Sequence, residues 1–467
     1  MNATREFIGA SYCVGVLALA LMSGATNAQS ARPAGPTGPA DPRSWIQFRG
    51  GTDNSGNVHG ALEASWKFKA PHPVRGLAVA AGLVFLGTES ADADAAMDAF
   101  APDQRGILIA LDAVTGEPVW RRSVPSWIHG DPATFRGRTI VTFGRWPMTS
   151  AGGAIAVDSH TGRTLWSFNT AAGIMPSPVI DTTGNAVLVV GGDGVLYNLS
   201  MVDGAVRDVM GLQSADAMSS PRIDEHRNVY LGTMGEVHSV SAANGRTNWK
   251  YNSKGLRAML DVPVALSDSV VFTVGTHQFG FWRAAQSLSV RRFIGMVIEA
   301  RRSRPISTYR AWFEQQWLLA VDRRSGRLLW RHKLGVGLGV PRNTAGTPVL
   351  VGNRVIVSSP VSRTIWAFNA STGRVAWSRE LHSMHKGAVT AVGDEIIFGD
   401  KNGNLFFLRV HDGQVVGRCA AGAPFTPLAP LVVGRTVLIA THDGWVHAVP
   451  YDSLRDRATL REGPKCF

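Results

Sequence analysis

The chain is short of cysteine, of lysine and of long apolar runs. Its 467 residues hold 3 cysteines, too few and too scattered for a disulfide-dense scaffold, and no zinc-ligand spacing surrounds them. After the N-terminal segment no apolar stretch approaches the roughly 18 residues that a membrane-spanning helix requires. There is no Walker loop and no Gly-x-Ser-x-Gly elbow, which removes the commonest phosphate-binding and serine-hydrolase signatures. Charged residues make up 18% and apolar residues 45%, a balance that excludes a disordered or collagen-like chain and allows a large core. Only Lys67, Lys69, Lys250, Lys254, Lys333, Lys386, Lys401 and Lys465 are lysines, so the 47 basic residues are mostly arginine. Against 35 acidic residues they leave a net charge of +12. Such a balance points to an anionic partner, although a GC-rich coding sequence also produces arginine.

The N-terminus has the layout of an export signal. Arg5 lies in a short polar start, Tyr12 to Met22 is apolar, and Ser23-Gly24-Ala25 and Thr26-Asn27-Ala28 end in small residues. Cleavage after Ala28 makes residues 1–28 a signal peptide, and residues 29–44, rich in Pro, Gly and Ala, a leader. The mature chain, from residue 29, is expected in the periplasm or outside the cell, with no transmembrane segment. Cys13 falls inside the signal and follows Tyr12, too early for a lipid-attachment cysteine. Cys419 and Cys466 remain, and an exported pair is expected to oxidise into a staple for the C-terminal tail. Export, and the lack of aromatic residues interleaved with basic ones along a strand face, argue against nucleic acid.

One phrase recurs along the body. Ile107 to Asp112 runs into Thr115-Gly116 and Trp120, and Ile155 to Asp158 into Thr161-Gly162 and Trp166. The pattern returns at Gly245 with Trp249, Gly326 with Trp330, and Gly373 with Trp377, while the copies at Gly204 and Gly413 keep the glycine and lose the tryptophan. Alternating apolar residues predict a strand, Asp/Asn-x-x-Thr-Gly a turn, and the Trp segment a second strand. With the hairpin upstream, as at Val179-Ile180 and Ala186 to Val190, each unit is four strands in about 40 residues, the period of a propeller blade. Seven glycines mark seven blades. Trp445 to Val449 lacks a following Trp strand and Ala64 to Phe68 is a Trp strand without a partner, so joining them closes an eighth blade and leaves no open edge. The expected fold is all-β, an eight-bladed propeller over residues 45–467.

The phrases Ala110–Trp120, Ala156–Trp166 and Ala320–Trp330 resemble the pyrroloquinoline-quinone (PQQ) type repeat family, whose hallmark is Ala-x-Asp-x-x-Thr-Gly-x-x-x-Trp. Trp45-Ile46-Gln47-Phe48-Arg49-Gly50 looks like that family's opening phrase. The resemblance implies the propeller and leaves two functions open: quinoprotein dehydrogenases, and non-catalytic relatives such as the propeller subunit of the β-barrel assembly machinery (BamB). Dehydrogenases resembling this fold hold PQQ with a vicinal Cys–Cys disulfide and Ca²⁺, and this chain has no adjacent cysteines. PQQ carries three carboxylates, and Arg257, Arg342 and Lys386 precede innermost strands where they would ring the pore, with Asp261 as a possible base. Solvated loop charges are the simpler reading, so no cofactor is expected and PQQ with Ca²⁺ is the alternative.

Met175, Met218, Met259 and Met384, with His129 and His385, fall on equivalent loops. Thioethers and imidazoles together suit copper, though pliable packing over the pore explains the methionines as well. Long insertions, 89–105 and 281–316 above all, fall between second and third strands and should share a face with these loops. The second carries Arg283, Arg291, Arg292, Arg301, Arg302, Arg304 and Arg310 against Glu299 and Glu314, seven minus two, or +5 of the +12. Val290, Phe293, Ile294, Val297 and Ile298 recur there at helical spacing. A basic amphipathic helix serves as a lid, a docking element for an envelope protein, or a contact to an anionic membrane surface. Asp92, Asp94 and Asp98 in the first insertion give it an acidic loop four blades away.

Overall fold

The computed structural model describes residues 47–58, 60–89, 105–145, 150–212, 219–253, 260, 262–279, 294, 313–338, 346–460 and 464–467. They form eight sheets, antiparallel but for one added strand, arranged as the expected propeller. Blade 1 shows the plan: Val74–Ala80, Leu83–Thr88, Gly106–Asp112 and Pro118–Val124, from pore to rim. The second strand is buried throughout, because neighbouring blades cover both of its faces, and the fourth is exposed along most of its length. The remaining innermost strands are Ala133–Phe135, Val179–Asp181, Arg222–Ile223, Ala265–Leu266, Val349–Val351, Thr390–Val392 and Leu431–Val433, in blades 2 to 8.

Blade 8 is closed by both ends of the chain. Trp66–Lys69 pairs antiparallel with Trp445–Pro450 as its outer strand. Asn57–Val58 pairs parallel with Leu431–Val433 on the pore side, making this sheet five-stranded. The sequence pattern placed the outer closure correctly and contained no sign of the inner one.

The recurring turns of blades 1, 2, 5 and 6 are built the same way. Asp158 Oδ1 accepts the N–H groups of His160 and Thr161 and the Thr161 hydroxyl, and Gly162 closes the turn at φ 68°, a left-handed conformation that favours glycine. The Thr161 hydroxyl and amide hold the Asp158 carboxyl below its ordinary range. Thr115 does this for Asp112, and Ser325 for Asp322. A depressed folded pKa gives stability that is present above the unfolded value, about 3.9, and lost as pH falls through the folded value. Asn369 makes the same turn in blade 6 without a titrating group. Asp158→Asn is therefore expected to keep the turn and to shrink the stability lost between pH 5 and pH 3, measured as the denaturant midpoint at each pH.

The tryptophans join one blade to the next. The indoles of Trp66, Trp120, Trp166, Trp249, Trp330 and Trp377 lie on the turn glycines of the following blades, where an added methyl group would meet ring atoms at 2.4–2.6 Å. Five of the indoles also donate Nε1–H to a turn carbonyl: Trp66 to Ala113, Trp120 to Ser159, Trp166 to Met201, Trp249 to Arg323 and Trp377 to Val410, at 2.8–3.1 Å. Gly162→Ala is expected to cost about 2 kcal/mol or more in a denaturant titration, because the new methyl group meets both the indole and a left-handed backbone.

Blade 8 has no such turn, since its third strand runs into the helix Tyr451–Arg457. Correspondingly, Gly417 stands at the tryptophan position of blade 7, and a methyl group there would touch Ala458 at 3.0 Å. The tail bonds along the outer strand Val415–Ala420 instead: Arg418 and Thr459 exchange backbone bonds, and Ala420 N–H donates to Pro464 O. Cys419 and Cys466 form a disulfide there, with Cα atoms 5.0 Å apart.

Blade 5 corrects one boundary. Val270–Phe279, Phe313–Asp322 and Leu328–Leu338 are 10, 10 and 11 residues long, and Phe279 pairs directly with Phe313. Phe313 to Gln316, assigned to the insertion by composition, belong to this tall hairpin. Glu314 and Gln316 are buried there, and Gln316 Oε1 accepts the Ser359 hydroxyl at 2.8 Å. Gln316 reads as loop because the hydroxyl that satisfies it lies in the next blade, while Glu314 accepts Gln278 Nε2–H at 3.2 Å within the hairpin itself.

Candidate functional site: the sealed pore and its loop face

The pore is filled by the chain's own N-terminal segment. Residues 47–58 pass the inner strands of blades 4 to 8 in turn, and each of these five donates a backbone N–H inward. Ile223 donates to Gln47 Oε1, Leu266 to Thr52 O, Leu350 to Asp53 O, Ala391 to Ser55 O and Val432 to Gly56 O, at 2.8–3.2 Å. Asn54 Nδ2 binds Val264 O and Pro348 O at 3.1 and 2.9 Å, tying blades 5 and 6 together.

Arg49 is the centre of this plug. At φ 54°, its backbone turns the guanidinium back along the segment, where Nε donates to Asn54 O and Nη2 to Ser55 O, Val389 O and Thr390 Oγ1. Its own N–H donates to Asp131 Oδ2 at 3.0 Å, and Leu77 N–H reaches Asp131 Oδ1 at 3.1 Å. Arg222, wholly buried, lies 4.9 Å over the Phe48 ring and donates to Val264 O and Phe48 O. Burial lowers Arg49 to about 10 and Arg222 to about 9 against the pull of Asp131 and Asp53. Burial also raises Asp131 to about 6, opposed by the Leu77 and Arg49 amides and both guanidiniums. The two arginines thus face two carboxyl groups, Asp53 and Asp131, at the pore centre.

Hydroxyls link the loops that lead into the inner strands. Asp131 N–H donates to Ser177 Oγ, Ser177 N–H to Ser220 Oγ, and Ser219 Oγ to Val262 O. Thr142 Oγ1 donates to Pro176 O and Ser358 Oγ to Gly387 O. These loops share a face with the connections between second and third strands, so the insertions of blades 1 and 5 are anchored on this face, on opposite sides of the ring.

The candidate residues separate. His129 Nδ1 lies 3.1 Å from Glu89, whose other oxygen meets Arg75 at 2.8 Å. Burial holds the His129 pKa down against Glu89, with Arg75 adding to the depression. His385 Nδ1 lies 2.7 Å from Gly399 O, its ring packs on Phe398, and burial lowers it to about 4. Both imidazoles are thus neutral at pH 7 and turned to different partners. Met175 is buried in the core and Met384 packs against Val361. Lys386 is half-buried, on the loop before Thr390–Val392. Among the described residues no three His, Cys, Asp or Glu side chains are grouped to hold a metal ion. Arg257, Asp261, Arg342, Met218 and Met259 lie outside the described residues, as do Arg291, Arg292, Arg301, Arg302, Asp92, Asp94 and Asp98. Of the apolar stripe in the blade 5 insertion only Ile294 is described, and it is exposed.

Sequence reasoning passed over Arg49, Asp131 and Arg222. A faint signal existed: Asp131-Pro132 stands where Ser177-Pro178 and Ser220-Pro221 precede the next inner strands, and Arg222 opens an inner strand that is otherwise apolar.

A family model described as outer membrane protein assembly factor BamB matches residues 63–287 and 314–464. The chain belongs to this family. The stretch that the match skips, 288–313, lies in sequence between the paired strands of blade 5, while the matched residues cover all eight blades. Among curated relatives, tetrathionate hydrolase of Acidithiobacillus ferrooxidans is 23% identical over 74% of this chain and 69% of its own. Outer membrane protein assembly factor BamB of Yersinia pestis is 20% identical over 75% and 81%. The crystal structure of BamB from Moraxella catarrhalis superposes with a TM-score of 0.57 at 18% identity, covering 83% of this chain and 99% of that one. This last likeness is one of fold. Among the described residues no helix is long and apolar enough to cross a membrane.

Proposed function

We propose that this protein is an exported, non-catalytic propeller scaffold that binds another envelope protein through its loop face, in outer-membrane protein assembly. The observation that carries the reading is the sealed pore: the polar groups at the centre are committed to holding the ring, which leaves the rim loops as the variable surface. Family membership and the relatives named for outer-membrane assembly support the process, and the export signal supports a periplasmic location. The Arg-rich insertion of blade 5 suits a partner with an acidic surface, and an anionic membrane surface is the other contact it could make.

The quinone alternative needs free cations for three carboxylates and a pair of adjacent cysteines. Arg49 and Arg222 already donate into backbone carbonyls, and Cys419 is joined to Cys466, 47 residues away. These residues do not fit the group, and no step is derived through it.

Because Phe279 and Phe313 are directly paired, a short turn can replace residues 280–312 without disturbing blade 5. Capture of partners from envelope extracts is expected to fall at least several-fold with this variant, and equal recovery would remove the insertion from the interface. Turnover of an alcohol or sugar with PQQ and Ca²⁺, or consumption of tetrathionate, by the purified protein would overturn the scaffold reading.

A further inference from the structure

Two seams of the ring lack the indole latch, and one of them has no substitute for it. Counting four residues from each turn glycine gives Trp120, Trp166, Trp249, Trp330 and Trp377, but from Gly413 it gives Gly417 and from Gly204 Asp208. On Gly245 of blade 4 the nearest neighbours are therefore the Asp208 carboxylate and Met210, and no ring covers the turn. The carbonyl that would take the indole N–H is that of Ala242, and it accepts only Arg227 Nη2 at 3.5 Å among the side-chain donors described. Val202, Val206 and Val209, on the outer strand of blade 3 and its turn, are 56%, 49% and 56% exposed. What spans the seam is an aliphatic cluster around Leu188, Met210, Leu231 and Val240, one ion pair from Arg227 to Asp181 at 2.7 Å, and the Ser177–Ser220 bond.

The plug bridges this seam only through Asp131 of blade 2. Its hydrogen bonds reach blades 4, 5, 6, 7 and 8 and the Asp131 loop, and among the described residues none reaches the inner strand of blade 3, Val179–Asp181. The seam between blades 7 and 8, which also lacks a Trp, is reinforced by the helix, the tail pairing and the disulfide. In an eight-bladed ring these two seams are diametrically opposite.

We propose that the ring is a clamp that opens at the seam between blades 3 and 4 and pivots on the covalently locked seam between blades 7 and 8. Opening there would part the loop face and leave every blade folded; besides the contacts between blades 3 and 4 it would break the bond from Arg49 N–H to Asp131 in blade 2, while the plug stays with blades 4 to 8. Such a local event needs no global unfolding. This inference stands independently of the partner proposed above.

Two buried methionines report on it. Met210 faces the seam between blades 3 and 4, and Met201, whose carbonyl takes the Trp166 N–H, faces the seam between blades 2 and 3; they are 7% and 2% exposed. Hydroxyl-radical footprinting of the full chain is expected to oxidise Met210 about tenfold faster than Met201, as for a side chain exposed by local opening. Asp208→Trp, which supplies the missing latch, is expected to bring Met210 down to the Met201 rate. Trp166→Asp is expected to raise Met201 toward the Met210 rate, so the inference stays testable if the first variant does not fold. Equal rates in the parent chain would overturn the clamp, as would a folded Asp208→Trp in which Met210 oxidises as before.

Discussion

Replacing Arg49 with methionine is expected to lower the unfolding free energy by about 3–5 kcal/mol, the range for removing one partner from a buried charge network. The side chain is 3% exposed, and its guanidinium satisfies carbonyls from two distant parts of the chain. Methionine matches the length but donates nothing, so Asn54 O, Ser55 O, Val389 O and Thr390 Oγ1 lose their donor in a site with little access to water. Asp131 then faces Arg222 without the second cation that balances it. Lysine in the same place keeps the charge and loses the fork, so Arg49→Lys should recover only part of the loss. Chemical denaturation followed by tryptophan fluorescence measures both. An Arg49→Met midpoint equal to that of the parent would mean that the plug contributes no net stability.

Removing the disulfide is the second large effect. Cys419→Ala with Cys466→Ala opens a loop of 47 residues, for which chain entropy alone corresponds to about 4 kcal/mol. Both sulfurs are buried beneath the tail, so the reduced form also exposes the edge of the outer strand Val415–Ala420. The double variant should show a lower denaturant midpoint that no longer responds to a thiol reductant, whereas the parent chain should fall to the same midpoint when reduced. A parent chain whose midpoint does not change on reduction would show that α-helical and strand contacts of the tail suffice by themselves.

The blades were legible because their information is local. The Asp-x-x-Thr-Gly turn, the alternation of its strands and the orphan Trp66 strand each sit within a dozen residues, and the blade count and outer closure follow from them. The pore was not legible. Arg49, Asp131 and Arg222 are far apart in sequence, and each looks like an ordinary loop or strand-end charge until eight inner strands surround it. The docking of each tryptophan on the next blade's glycine lies between these cases. The spacing contains it, but the partner is assigned only when blade is placed against blade. Gly417 and Asp208, the two gaps in the tryptophan series, look alike in sequence and differ in structure. One is covered by the C-terminal tail and the other is left uncovered.

The plug also sets the order in which the molecule can be made. Ala64 N–H bonds Thr436 Oγ1 across a separation of 372 residues, and the plug's partners extend from Leu77's neighbour Asp131 to Val432. A chain that emerges N-terminus first presents residues 47–69 at once, yet the strands that receive them arrive last. During that interval the earliest segment to appear has no fold to join, and any product truncated before blade 8 carries an open ring with unpaired inner edges. Completion of the last forty residues is thus the event that turns a row of blades into a closed molecule, and proteolytic quality control has the whole of that waiting time in which to act.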